Sequence, residues 1–272
     1  LDESFRTDLI NLIPILISLL FGMSCAYTLK ISETELYAIT PFPESPAGSL
    51  GNALYFVILL CFGATIIFLL LKKRIYKPIT LITGFALMSV TFFLSMVYFN
   101  AFSKVFALIS NETRFIVSTA VTLATGYVIL GTKSKTGGFL TLLLSGALGA
   151  FLGASVQTLS AMLILCFLAV YDIFTVYRGP VGKIVNAGLE RFRGLIFSFR
   201  DIQIGFGDLT FYSMLVGHIL FYFGLLQCLA SLAGVLLGCF LTIKLLGRYG
   251  TFPGLPIPIF LGLALGFFTA PS

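Results

Sequence analysis

Long, uninterrupted runs of apolar residues constrain this chain more than any other feature. A helix needs roughly 20 such residues to cross the hydrocarbon core of a bilayer. Nine runs qualify or come close, at 9–28, 52–71, 79–99, 115–131, 137–153, 156–177, 206–225, 228–246 and 255–270. The fourth, fifth and ninth are short. The gaps between the fifth and sixth and between the seventh and eighth are tight. Lipid offers the backbone no hydrogen-bond partners, so only helices or a closed barrel can span it. A barrel would show brief alternating segments, and these runs are continuous. The sequence therefore predicts an all-α polytopic membrane protein with nine transmembrane helices, forming a single membrane domain over 1–272. Composition agrees: 58% of residues are hydrophobic and 10% charged, where soluble domains carry about 25% charge. The first run is longer than the apolar core of a signal peptide, and it reads as structure.

Net charge is +6. In a soluble protein that would suggest nucleic acid. Here the cations cluster between the apolar runs, which is the signature of topology rather than of a nucleic-acid partner. Alternate gaps hold 14 of the 17 Lys and Arg residues, among them Lys72, Lys73, Arg74, Lys77, Arg178, Lys183, Arg191, Arg193 and Arg200. The other gaps keep only Lys30, Lys104 and Arg114, beside Glu33, Glu35, Glu44 and Glu112. The bias puts the N-terminus in the cytoplasm and, with an odd number of spans, the C-terminus outside. The longest outer loop, 29–51, contains Pro41, Pro43 and Pro46 and reads as a lid or a plain surface loop. The longest inner loop, 178–204, is basic, with an amphipathic look suited to an anionic leaflet. Cys25, Cys61, Cys166, Cys228 and Cys239 form no paired motif and read as packing residues. No residue set suggests a metal or another cofactor.

Against this background two acids stand out. Asp172 and Asp208 lie inside predicted spans six and seven, where ionisable groups are costly and by default point to function. Asp172 precedes Arg178 by six residues, about 9 Å along a helix. Asp208 follows Arg200 by eight. Both therefore sit at similar shallow depth on the cytoplasmic side, on consecutive antiparallel spans. Two facing carboxylates share one proton, the state in which one draws a proton from water while the other donates to a carbonyl oxygen. Spacing alone leaves three readings open: a catalytic pair, proton or ion transport, and structural polar contacts.

Glycines and prolines bear on that choice. Gly205 and Gly207 flank Phe206 immediately before Asp208, allowing close backbone approach and an unwound lip that could pair with an extended strand. Pro253, Pro256 and Pro258 crowd the start of the ninth run and favour an extended segment at its mouth.

Taken together, these residues resemble the GxGD intramembrane aspartyl proteases, the family of presenilin and signal peptide peptidase. Tyr171-Asp172 resembles the family's YD motif in the sixth span. Gly205-Phe206-Gly207-Asp208 matches the GxGD motif of the seventh. Pro253-Gly254-Leu255, followed by Pro256, resembles the PAL motif before the ninth, with glycine in place of alanine. The resemblance implies a presenilin-like fold with spans one to six over 1–177, a basic cytoplasmic loop over 178–204 and spans seven to nine over 205–272. It implies that Asp172 and Asp208 are the catalytic dyad. Tyr171, Gly205, Phe206, Gly207, Pro253, Gly254, Leu255 and Pro256 would bind substrate or shape the site. The implied reaction is hydrolysis of peptide bonds within transmembrane proteins or peptides, in the lipid bilayer and without a cofactor. The charge-derived orientation resembles that of presenilin. The compact loops resemble a microbial, archaeal homologue in a prokaryotic cell membrane. The long inner stretch that presenilins cleave in themselves is missing, accessory subunits are not implied, and a homo-oligomer is left open. The alternative is a transporter or ion-conducting protein using the same acids. Against it, no inverted repeat is visible and the acids lie near one surface rather than at mid-membrane.

Among the remaining features, His218 is ten residues beyond Asp208, about 15 Å along a helix, and reads as a packing or polar-contact residue. Gly146, Gly149 and Gly153 predict close packing of the fifth span, and Gly262 and Gly266 predict the same for the ninth.

Overall fold

The apolar runs can satisfy their backbone groups in lipid only by coiling, and each of the nine does so. The computed structural model describes residues 9–36, 39–73, 75–106, 110–131, 135–178, 196–199 and 202–268. A 3₁₀ turn, Leu9–Leu12, leads into α1 (Ile13–Ile31). Then follow α2 (Pro46–Lys72), α3 (Tyr76–Phe106), α4 (Asn111–Gly126), a π-helical turn (Tyr127–Gly131), α5 (Lys135–Ser155) and α6 (Thr158–Arg178). A hairpin of β1 (Ile196–Phe199) and β2 (Ile202–Gly205) precedes α7 (Phe206–Tyr222), α8 (Leu225–Tyr249) and α9 (Pro256–Phe268).

One expectation needs correcting. Among the described residues six helices, not nine, are long and apolar enough to cross a membrane: α1 with its leading turn, α2, α3, α5, α6 and α8. α4, α7 and α9 have 16, 17 and 13 residues. The polar Asn111-Glu112-Thr113-Arg114 start of α4 lowers its hydropathy; Ser110 caps it by accepting the Thr113 N–H at 3.3 Å. α7 stops early because Gly224 takes φ 109°, a left-handed conformation suited to glycine, which moves the turn before α8 to 223–224. The described part of the 178–204 loop holds a hairpin that the sequence reading did not anticipate. Ile196 pairs with Gly205 and Phe199 with Ile202 in an antiparallel hairpin, and Phe197 of β1 lies against Gly138 of α5. Residues 179–195 and 200–201, which carry most of the loop's basic residues, lie outside the described residues.

α7 is the centre of the molecule. Leu209, Thr210 and the whole run from Tyr212 to Leu220 are buried. α5 and α1 reach α7 through glycine notches. A Cβ at Gly149 would collide with the Thr210 carbonyl and come within 2.7 Å of the Met214 nitrogen; one at Gly153 would come within 2.7 Å of the His218 nitrogen. Ser213 Oγ donates to the Gly146 carbonyl at 2.8 Å across the same seam. Lipid gives packed helices no hydrophobic advantage over separated ones, so close approach of this kind supplies the association. The α8–α9 seam is built the same way. A Cβ at Gly234 would meet the Leu261 carbonyl at 2.5 Å, and one at Gly262 would meet Val235 Cγ2 at 2.6 Å. The expected small-residue faces on the fifth and ninth helices are therefore present.

α2 lies outside this core. Near its N-terminal end, Asn52 accepts the Phe42 N–H at 3.0 Å and donates to the Phe42 carbonyl at 3.2 Å and to Ser160 Oγ of α6 at 3.0 Å. Ser160 donates in turn to Ser49 at 3.1 Å. This cluster pins both Phe42, in the loop before α2, and α2 itself to α6. Further along, Ile58, Leu59, Phe62 and Leu69 face outward, as an apolar surface in lipid does.

Candidate active site

The local structure around Asp208 follows from its spacing to Gly205. β2 ends at Gly205, whose φ of −72° and ψ of 142° make it the extended N-cap of α7. Asp208 is then the third helical residue, and its carboxylate hydrogen-bonds back to the backbone of Gly205. This is the acceptor half of a capping box, placing an acid where the helix leaves N–H groups unpaired and its dipole is positive. Space explains the first glycine: a Cβ at Gly205 would stand 3.3 Å from Asp208 Oδ2. Gly207 differs. It is already helical and exposed, and a Cβ there would find nothing nearer than Phe211 Cε2 at 3.9 Å. The extended lip therefore ends at Gly205 and does not include Gly207. Phe206, half-buried, packs against the core.

Asp172 has a different setting. It sits six residues before the C-terminus of α6, the negative end of that helix. Its compensation comes from 253–256. Pro253 and Pro256 lack N–H groups, so the amides between them belong to Gly254 and Leu255 alone. The Leu255 N–H donates to Asp172 Oδ2 at 2.9 Å, and the Gly254 amide also bonds the carboxylate. Leu255 is the last residue before α9, and its carbonyl accepts the Ile259 N–H at 3.0 Å. The positive end of α9 thus faces Asp172.

Gly254 brings the two halves together. While its amide bonds Asp172, a Cβ on it would stand 3.1 Å from Asp208 Oδ2. The alanine expected from the PAL resemblance would press on that carboxylate, and glycine relieves the contact. The two carboxylates are near enough to act on each other electrostatically, and both are half-buried. Pro253, Leu255 and Pro256 are buried beneath them. Tyr171 turns away, its hydroxyl reaching Cys61 of α2. His218 is outside the site: Nδ1 lies 2.7 Å from the Gly153 carbonyl and Nε2 3.2 Å from Thr158 Oγ1. Among the described residues no group of three His, Cys, Asp or Glu could hold a metal ion.

Sequence reasoning missed Tyr212. Its hydroxyl donates to the Gly254 carbonyl at 2.8 Å. The available signal was its position four residues after Asp208, on the same helix face.

Known proteins share this fold. The family described as "Signal-peptide peptidase, presenilin aspartyl protease" matches residues 13–181, a stretch that includes Asp172 and stops short of Asp208. A presenilin family intramembrane aspartate protease solved in space group C222 superposes with a TM-score of 0.67 at 19% identity, covering 94% of this chain and 97% of that one. A presenilin family protease structure in space group P2 gives 0.64 at 23% identity over the same shares. No curated protein matches the chain significantly. The shared fold is thus a presenilin-like arrangement of membrane helices. With the family matched over well more than half its length, the chain belongs to the signal-peptide peptidase and presenilin aspartyl protease family.

Proposed function

We propose that this protein is an intramembrane aspartic endopeptidase in which Asp172 and Asp208 activate water to hydrolyse peptide bonds of transmembrane helical substrates. One observation carries the reading: the Gly254–Leu255 segment bonds Asp172 at 2.9 Å and lies so near Asp208 that a Cβ on Gly254 would stand 3.1 Å from its carboxylate. Three separated stretches of sequence meet at a single point. There, one carboxylate accepts a proton from water as it attacks the scissile carbonyl. The other, protonated, donates to the carbonyl oxygen, and the roles reverse as the amine leaves.

The substrate must be extended at the bond to be cut, because a helical peptide hides its carbonyl carbon. β2 runs directly into Gly205, and β1 takes one of its edges. The other edge is the natural one for an extended substrate segment to join by backbone hydrogen bonds. Exposed Gly207 leaves room for that segment beside Asp208, and Phe206 borders it. Pro253, Leu255 and Pro256 support the opposite wall. Tyr171, engaged with Cys61, orients α6 rather than taking part in chemistry. The charge bias supports a cytoplasmic N-terminus and water entry from that side.

The test is cleavage of a single-span peptide by the purified chain in lipid, beside Asp172→Asn and Asp208→Asn. The expected outcome is product from the native chain alone, with both variants folded. Equal product from all three would overturn the assignment. Cation flux that depends on both acids, without any hydrolysis, would favour the transporter reading instead.

A further inference from the structure

The Gly254–Leu255 peptide group has two edges, and the structure occupies both. Its N–H donates to Asp172 Oδ2 on α6 at 2.9 Å. Its carbonyl accepts the hydroxyl of Tyr212 on α7 at 2.8 Å. One peptide plane thus bridges the helix that carries Asp172 and the helix that carries Asp208. We infer that Tyr212 is a positioning residue: its hydroxyl fixes the rotation of this plane, and so holds the Leu255 amide on Asp172. The inference rests on the dyad reading above.

The sequence denies the carbonyl of this plane its usual helical donor. A helix would satisfy the Gly254 carbonyl from the residue four positions on, but that residue is Pro258, which has no N–H. α9 accordingly starts its own hydrogen bonding one residue later, with Ile259 to Leu255. The Gly254 carbonyl is part-buried, where a missing partner costs stability, and Tyr212 supplies the donor. The tyrosine is 4% exposed, and its hydroxyl is also hydrogen-bonded to the Cys239 thiol of α8. Its place one turn beyond Asp208 ties the orientation of the plane to the helix that holds the second carboxylate. A donor on the carbonyl also polarises the peptide and strengthens the N–H bond at its other edge. Without the hydroxyl, the plane loses its anchor on the carbonyl edge, and the Leu255 amide tilts out of line with Asp172. The reacting groups are then misplaced while substrate contacts elsewhere persist.

The experiment compares the native chain, Tyr212→Phe, Asp172→Asn and Asp208→Asn in lipid on the same single-span peptide. Phenylalanine keeps the ring packing and removes only the hydroxyl. Loss of positioning at a reacting group predicts kcat lower by about 10- to 100-fold, with KM nearly unchanged because ground-state binding is not touched. A second readout observes the plane itself. Labelling glycine carbonyl carbon with ¹³C and leucine nitrogen with ¹⁵N marks this peptide and few others. In Tyr212→Phe the Gly254–Leu255 signal shifts and its amide exchanges faster, while the other Gly-Leu signals stay in place. Native kcat in Tyr212→Phe beside inactive aspartate variants overturns the inference alone. So does a rise in KM that accounts for the whole loss, or an unmoved Gly254–Leu255 signal. Cleavage by the aspartate variants overturns the dyad, and the inference falls with it.

Discussion

α2 and α7 meet the bilayer in opposite ways. α2 has 27 residues and an apolar character that makes it an obvious membrane span, yet hardly any of its central part is buried within the protein. α7 has 17 residues, too few by the usual measure, and is enclosed on nearly every side. Hydropathy reports what a helix can dissolve in, not how central it is. α7 can be short because protein covers both its ends. Its N-terminus meets β2 and the Gly254 segment. Near its C-terminus Lys30 of α1 donates to the Leu220 carbonyl at 3.1 Å, satisfying a group the helix leaves unpaired. The helix bearing Asp208 is therefore surrounded by fixed partners, which suits a group that must be held in place.

The largest break in this contrast comes from filling a notch beside α7. In Gly149→Val the new Cβ meets backbone, the Thr210 carbonyl and the Met214 nitrogen, rather than a side chain that can swing away. The two helices must separate, at a cost of about 3 kcal/mol or more. Thermal unfolding in lipid should show a large loss of stability, and cleavage should fall with it. A variant as stable as the native chain would mean that the α5–α7 seam is not what holds the centre together.

A smaller effect is expected where α2 is pinned. Asn52→Ala removes the partner of the Phe42 N–H, of the Phe42 carbonyl and of Ser160. The Phe42 groups left behind are only part-buried and Ser160 keeps its bond to Ser49, so the loss is about 2 kcal/mol. It should appear first as protease nicking between Pro41 and Ser45, with α5, α7 and α8 still folded. Destabilisation as severe as that of Gly149→Val would place α2 within the core rather than around it.

How much of this was legible depends on the range of the interactions involved. The nine helices among the described residues could be read because lipid forces a coil on every long apolar run, and Asp172 and Asp208 because a charge in such a run is rare. The notch glycines at 146, 149 and 153 could be read from their spacing on one helix. Helix ends were harder: nothing in the local sequence separates Gly224, with its left-handed φ, from the glycines that merely pack. The β1–β2 hairpin was hidden in a loop whose scattered basic residues suggested an amphipathic surface segment instead. Tyr212 was hidden for a different reason. A tyrosine in an apolar run looks like core, and the carbonyl it holds lies 42 residues further on. Contacts between distant segments leave little trace in either one, which is why the acids could be found before the groups that place them.

The smallest expected effect also tests the contrast most finely. Gly63 lies on α2 with nothing within 4 Å of where a Cβ would stand. Leucine is a better helix former than glycine by roughly 0.8 kcal/mol, and at this position it has only lipid to displace. Gly63→Leu should therefore unfold at the same temperature as the native chain or slightly above it. If α2 is a peripheral helix throughout the catalytic cycle, kcat and KM should also stay the same. A rise in KM with undiminished stability would show otherwise: something must then touch this face during turnover, and the only partner added to the assay is the substrate helix. The exposure of α2 would in that case be a property of the resting enzyme, and the division between a fixed α7 and a peripheral α2 would become one between the helix that holds the chemistry and the helix that meets the substrate.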